Sequence, residues 1–203
     1  MFIKQFTVTK VIGVIVVIVL VLVIARFISS DRANERGAGN QASDHRNATF
    51  MIEGRAVQLV DGYAEEPIAE DIASKIITKY FGNELTTDLD GDGEEDDVAF
   101  ILTQDHGGSG TFFYAVAAIS TDEGFKGTDG YFLGDRIAPQ ATTVSPNPGQ
   151  KNVVVFNYAD HASGEPVSAQ PSIGKSVYLK VSMPAMRWGI VVPDFEGESR
   201  EAL

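Results

Sequence analysis

The sequence predicts an α+β fold, a single domain of mainly antiparallel β-strands preceded by one N-terminal transmembrane helix. Three observations lead to this prediction: an apolar segment near the N terminus, many short β-rich segments divided by turn residues, and no internal repeat. The chain has 203 residues, a formal net charge of −12 and no cysteine. Cysteine metal sites and disulfides are therefore excluded, and the negative charge argues against nucleic acid as a partner.

The membrane segment is predicted at residues 11–28, after a short N-terminal flank of residues 1–10. Residues 11–25 carry no charged or hydrogen-bonding side chain. As a helix they would cover about 22 Å, and the apolar residues on either side extend them toward the hydrocarbon layer of about 30 Å. Lys10 and Arg26 can reach the headgroups. A cleaved signal peptide is the alternative, although no clear small-x-small cleavage site follows.

The remaining chain divides into a linker, a domain and a tail. Residues 29–47 are polar and lack apolar periodicity, which predicts a flexible tether. Residues 48–198 form the predicted β-rich domain, and residues 199–203 form a tail. We expect a single-pass protein held in the lipid bilayer by residues 11–28. Basic residues lie on both sides of the apolar segment, so the positive-inside rule does not settle its orientation.

Seven strands are predicted from short apolar or alternating runs bounded by Gly, Asp, Asn and Pro. Two of them are almost continuously apolar and are joined by a Gly-rich loop, which predicts central strands buried on both faces. The first two predicted strands flank a hairpin turn at Glu53-Gly54-Arg55, and the last two also form a hairpin. The predicted strands are Thr49–Ile52, Ala56–Val60, Val98–Thr103, Phe112–Ile119, Val153–Tyr158, Val177–Val181 and Trp188–Val192.

One segment, residues 67–81, fits two kinds of secondary structure. Pro67 can open a helix that places Ile68, Ile72, Ile76 and Tyr80 on one face. The end of the same segment alternates as a strand does. We therefore predict a short helix followed by a strand.

The most specific chemical signal is the acidic loop, residues 88–97, which contains the pattern D-x-D-x-D-G-x-x-D. Ca²⁺ prefers six to eight oxygen ligands, and a glycine at the sixth position allows the loop to bend around the ion. The predicted ligands are the carboxylates of Asp88, Asp90, Asp92 and Asp96 and the backbone carbonyl of Glu94. A bare acidic turn, or a site for Mg²⁺ or Mn²⁺, is the alternative. Asp97 lies outside the pattern, and the sequence leaves its role open.

The acidic loop resembles the calcium loops of FG-GAP repeats in integrin-like β-propellers and, more distantly, those of dockerins. It differs from an EF-hand because Ala99 stands where the bidentate glutamate belongs. The resemblance covers the loop and the following strand. A propeller needs several copies of this loop, and the chain has one.

The predicted domain as a whole resembles an uncharacterised family of exported bacterial proteins. This resemblance implies export and adds no reaction. It rests on four segments, Tyr80-Phe81-Gly82-Asn83-Glu84, Gly107-Gly108-Ser109-Gly110-Thr111-Phe112-Phe113-Tyr114, Leu133-Gly134-Asp135-Arg136-Ile137-Ala138-Pro139-Gln140 and Phe195-Glu196-Gly197-Glu198.

The predicted ion site also favours one side of the membrane. A loop without the bidentate glutamate has an expected dissociation constant of about 10⁻⁴ to 10⁻³ M, which is typical of extracellular modules. We therefore expect the domain to lie outside the cytoplasm.

Three hypotheses for the function follow, and none of them is settled by the sequence. The first is a non-enzymatic domain with a structural Ca²⁺ that organises the cell envelope or binds an unknown protein or glycan. The second is a small envelope hydrolase using acid-base groups near Asp160, His161 and Glu165. The third is a subunit of a larger membrane complex. No catalytic residue is assigned.

Overall fold

The computed structural model describes residues 44–68, 74–147, 149–166 and 168–193, and these ranges contain a short 3-10 helix, His45–Asn47, and twelve strands. The predicted membrane segment and tail lie outside them. No helix in the described ranges is long and apolar enough to cross a bilayer. The strands are β1 (Thr49–Ile52), β2 (Arg55–Gln58), β3 (Tyr63–Pro67), β4 (Lys75–Thr87), β5 (Asp97–Asp105), β6 (Phe112–Thr121), β7 (Gly124–Gly127), β8 (Tyr131–Asp135), β9 (Ala138–Val144), β10 (Val153–Asp160), β11 (Ile173–Ser182) and β12 (Arg187–Ile190).

The described strands form three sheets with antiparallel pairing throughout. The central sheet has the order β3-β4-β5-β6, and β7 and β8 share the far edge of β6. A second sheet has the order β12-β11-β10-β9. The third sheet is the β1–β2 hairpin.

Strands β5 and β6 are apolar on both faces because a separate layer covers each face. Along β5, Ala99 and Ile101 belong to one core cluster, whereas Val98, Phe100 and Leu102 belong to the other. Successive side chains of a strand point to opposite faces, so a strand covered on both sides must be apolar at nearly every position. The prediction of two central strands buried on both faces is confirmed.

The β1–β2 hairpin covers the first face of the central sheet. Its side chains Phe50, Ile52 and Val57 are almost completely buried, as is Leu59 directly after β2. The rings of Phe50 and Phe100 meet edge to face, with centroids 5.5 Å apart. Apolar burial therefore helps to hold the hairpin on the sheet, together with the backbone hydrogen bonds of Met51 to Thr128 and Gly130.

The four-stranded sheet covers the opposite face. Phe156 of β10, Leu179 of β11 and Trp188 of β12 pack in the core between the two sheets. The indole N–H of Trp188 donates a hydrogen bond to the carbonyl oxygen of Ala115 in β6, at 3.1 Å. This bond satisfies a buried polar group and links the second sheet to the central one.

The structure confirms the mainly antiparallel β domain and the three predicted hairpins, β1–β2, β5–β6 and β11–β12. The described residues contain no α-helix, so the helical part of the α+β prediction is not found in them. Pro67 ends β3, and Ile76 and Tyr80 lie in β4, which pairs with β3. The strand predicted at the end of residues 67–81 is therefore confirmed, whereas the short helix predicted before it falls largely on residues that the structure does not describe. Residues 69–73 lie outside the description.

A methyl group at Gly127 tests the close approach of β7 to β1. An ideal Cβ there would lie 2.3 Å from the carbonyl oxygen of Thr49 and 2.6 Å from a ring carbon of Phe50. We expect Gly127→Ala to lower the free energy of unfolding by about 1–3 kcal/mol, as measured by urea denaturation.

Gly108→Ala is the matched control, because no described atom lies within 4 Å of its Cβ position. Its expected effect is within about 0.5 kcal/mol. Equal stability of Gly127→Ala and the wild type would contradict the packing of the hairpin on β7.

Candidate metal centre

The acidic loop connects β4 to β5 at one end of the central sheet. Thr87 at the end of β4 pairs with Asp97 at the start of β5, so the two ends of the loop are held together. Leu89 is 1 % exposed and packs in the core between the two larger sheets. Gly91 lies close to the turn before β10. A Cβ added at Gly91 would lie 3.2 Å from the side-chain amide nitrogen of Asn152 in that turn. The loop is therefore fixed against both sheets.

Aspartate side chains within the loop accept hydrogen bonds from the loop's own backbone. Such bonds replace secondary structure in a turn and set the direction of each carboxylate. Gly91 and Gly93 have φ values of +89° and +96°, which favour glycine. The bonds run to Asp88 from the N–H groups of Gly91 and Gly93 at 2.6 and 3.2 Å, to Asp90 from Asp92 at 3.0 Å, and to Asp92 from Glu94 at 2.7 Å.

Asp97 is a carboxylate buried at the base of the loop, with 1 % of its surface exposed. One oxygen accepts the N–H groups of Leu89 and Asp90 at 2.9 and 3.1 Å. The other accepts the N–H group of Ser120 in β6 at 2.8 Å. Asp97 therefore ties the acidic loop to the neighbouring strand.

Two opposing effects act on the ionisation of Asp97. Burial raises the pKa of its carboxyl above the ordinary value, and the nearby Asp90 adds to this rise. The three N–H donors act in the opposite direction. A cation beside the carboxyl would also favour its charged form.

Three carboxylates converge at the base of the loop. Single oxygens of Asp88, Asp90 and Asp97 all lie within 4.8 Å of one another. Carboxylate oxygens are hard ligands suited to Ca²⁺ or Mg²⁺, and like charges at this separation repel one another unless a cation or proton offsets them. The donor set therefore fits a divalent cation.

The sequence-predicted ligands fall into two groups in the structure. Asp88 and Asp90 take part in the three-carboxylate group, whereas Asp92, Glu94 and Asp96 do not. Asp92 and Asp96 are exposed. The ligand roles of Asp92, Glu94 and Asp96 stay predictions. Asp97 is the member of this group that the loop pattern does not contain. Its signal in the sequence is an acidic residue placed directly before the apolar run of residues 98–102.

The acid-base residues considered for a hydrolase are engaged elsewhere. Lys175 Nζ donates to Asp160 at 2.6 Å, and the backbone N–H of Ala162 donates to Glu165 at 2.9 Å. Burial works to raise the pKa of Asp160, but the hydrogen bonds from Lys175 and from the backbone N–H of His161, together with the nearby positive charge, outweigh it, and the pKa lies below its ordinary value. Both ring nitrogens of His161 are buried without a hydrogen-bond partner in the described part of the chain. Neither carboxylate orients this imidazole.

Comparisons with known proteins add no assignment. No protein-family model, no curated protein and no solved structure matches the chain. The resemblances to exported bacterial proteins and to FG-GAP loops therefore stay predictions.

Removal of the Asp97 carboxylate tests its place at the base of the loop. Asp97→Ala leaves three backbone N–H groups without their acceptor, and we expect a loss of about 2–4 kcal/mol in the free energy of unfolding. Urea denaturation with EGTA present measures this loss in the absence of a bound cation.

The matched control is Asp96→Ala, which removes the exposed neighbouring carboxylate. Its effect in EGTA should stay within about 0.5 kcal/mol. Equal effects of the two substitutions would contradict the bridging role of Asp97.

Proposed function

We propose that this protein is tethered to a membrane through residues 11–28 and carries a β-rich domain outside the cytoplasm, whose acidic loop binds one structural Ca²⁺. The observation that carries the proposal is the approach of the Asp88, Asp90 and Asp97 carboxylate oxygens to within 4.8 Å of one another. A shared divalent cation would offset their mutual repulsion. In this proposal Asp97 joins the ligands predicted from the loop pattern.

The proposed role of the ion is structural because of what the loop contacts. Leu89 lies in the core between the two larger sheets, and Asp97 accepts a hydrogen bond from β6. An ion held by Asp88, Asp90 and Asp97 would therefore stabilise the end of the domain where the two sheets meet the loop. Because it would bind the folded chain in preference to the unfolded one, it would raise the stability of the domain.

The proposed location is supported by the sequence and by the expected affinity. The segment of residues 11–28, with its uncharged run at residues 11–25, has the composition of a membrane anchor. A weak calcium loop would be filled at extracellular concentrations and not at cytosolic ones. In this proposal the domain serves as a rigid module that binds a protein or glycan partner or organises the cell envelope.

Thermal unfolding with and without calcium tests this proposal. With a dissociation constant of about 10⁻⁴ to 10⁻³ M, 5 mM CaCl₂ should stabilise the folded state by about 1–2 kcal/mol relative to EGTA. For a chain of this size we expect Tm to rise by about 2–8 °C. Circular dichroism of the full chain in detergent measures the shift.

Two variants distinguish a specific site from general charge screening. Asp90→Asn should abolish the calcium-dependent rise in Tm, because it removes a charged ligand. Asp122→Asn removes an exposed carboxylate outside the acidic loop and should leave the rise intact. A wild-type Tm that is equal in CaCl₂ and EGTA would contradict the proposal.

A further inference from the structure

Residues 44–48, which the sequence assigns largely to the tether, are folded against the domain. The backbone of this segment forms the 3-10 helix, and Asp44 caps it by accepting the N–H group of Arg46 at 2.9 Å. Three further hydrogen bonds attach the segment to the turn between β2 and β3. They join Gly62 N–H to Arg46 O at 2.9 Å, Leu59 N–H to Ala48 O at 3.2 Å, and Asp61 N–H to the side-chain oxygen of Asn47 at 2.7 Å.

His45 is the side chain through which this segment contacts the central sheet. Its ring lies among the rings of Phe100, Phe125 and Tyr80, with centroid distances of 5.2, 6.0 and 6.1 Å. Its Nε2 group donates a hydrogen bond to the carboxylate of Glu84. The side chain of His45 is only 18 % exposed. It therefore fills a site made by β4, β5 and β7.

Arg46 combines an exposed side chain with a backbone whose polar groups are hydrogen-bonded. Its side chain is 47 % exposed and its guanidinium pairs with Asp44 at 2.7 Å. Its backbone N–H and carbonyl groups are both hydrogen-bonded within the folded domain. Cleavage of a folded protein requires local opening of the backbone, so trypsin can cut after Arg46 only when this segment detaches.

We propose that residues 44–48 form a clasp, a segment that opens separately from the rest of the domain and is held shut by His45. The clasp controls whether a protease can cut between Arg46 and Asn47 and so release the domain at this point. The release role rests on the proposed membrane tether, whereas the clasp itself rests on the contacts of His45.

Limited trypsin digestion of the full chain in detergent tests the clasp. The rate of appearance of the fragment that begins at Asn47 is followed by mass spectrometry. His45→Ala removes the ring contacts and the hydrogen bond to Glu84, so we expect this rate to rise about five- to thirtyfold. Glu84→Gln keeps the ring contacts and should give a smaller rise.

The matched control is His106→Ala. His106 is another partly buried histidine, with its ring 5.0 Å from that of Phe112 and its Nε2 atom hydrogen-bonded to Gln104, and it has no contact with the clasp. This variant should leave cleavage after Arg46 unchanged. Digestion after Lys79 and Lys175, in β4 and β11, reports opening of the domain as a whole.

The clasp is contradicted if His45→Ala cleaves after Arg46 at the wild-type rate, or if His106→Ala accelerates this cleavage equally. It is also contradicted if His45→Ala accelerates cleavage after Lys79 and Lys175 in parallel, because the segment then opens only with the domain. The experiment is run in CaCl₂ and in EGTA. A rise present in both conditions supports the clasp whether or not calcium binds the acidic loop.

Discussion

The constraint on which the rest of the structure depends is the burial of β5 and β6 on both faces. One strand pair supplies apolar side chains to two cores at once, to the β1–β2 hairpin on one side and to the four-stranded sheet on the other. Apolar burial on both faces stabilises the packing of the three sheets. The β1–β2 hairpin buries one face of β5 and β6, and the four-stranded sheet buries the other. Because β5 and β6 are held in place in this way, the positions at which the loops enter and leave these strands are also held in place.

The acidic loop is one of these connections, and its electrostatics follow from its position. Pairing of β4 with β5 and burial of Leu89 hold the backbone, while Asp97 is drawn into the base of the loop by three N–H groups. Asp88 and Asp90 are then held near a carboxylate that has little access to water. If all three carboxylates were charged and no cation were bound, their mutual repulsion would destabilise the folded state. We therefore infer that a divalent cation binds among them.

Much of the β architecture could be predicted from the sequence because the signals were local. The unbroken apolar runs of β5 and β6 predicted burial on both faces, and turn residues such as Glu53-Gly54 predicted hairpins. The spacing alone predicts that the carboxylates of Asp88 and Asp90 lie close together, as they do in the structure. The role of Asp97 could not be predicted, because one of its hydrogen bonds comes from Ser120, which lies 23 residues away. The same holds for His45, whose partner Glu84 is 39 residues away. For residues 67–81 the local pattern fitted both a helix and a strand, and pairing of β4 with β3 and β5 gives Ile76 and Tyr80 the strand conformation.

The central claim is that the carboxylates at the base of the acidic loop share one divalent cation. Titration calorimetry of CaCl₂ into the full chain in detergent tests it most directly, with Asp88→Asn and Asp97→Asn as paired variants. The account predicts one calcium ion per chain with a dissociation constant of about 10⁻⁴ to 10⁻³ M, and at least tenfold weaker binding in both variants. Absence of binding by the wild type, or equal binding by the wild type and both variants, would contradict it.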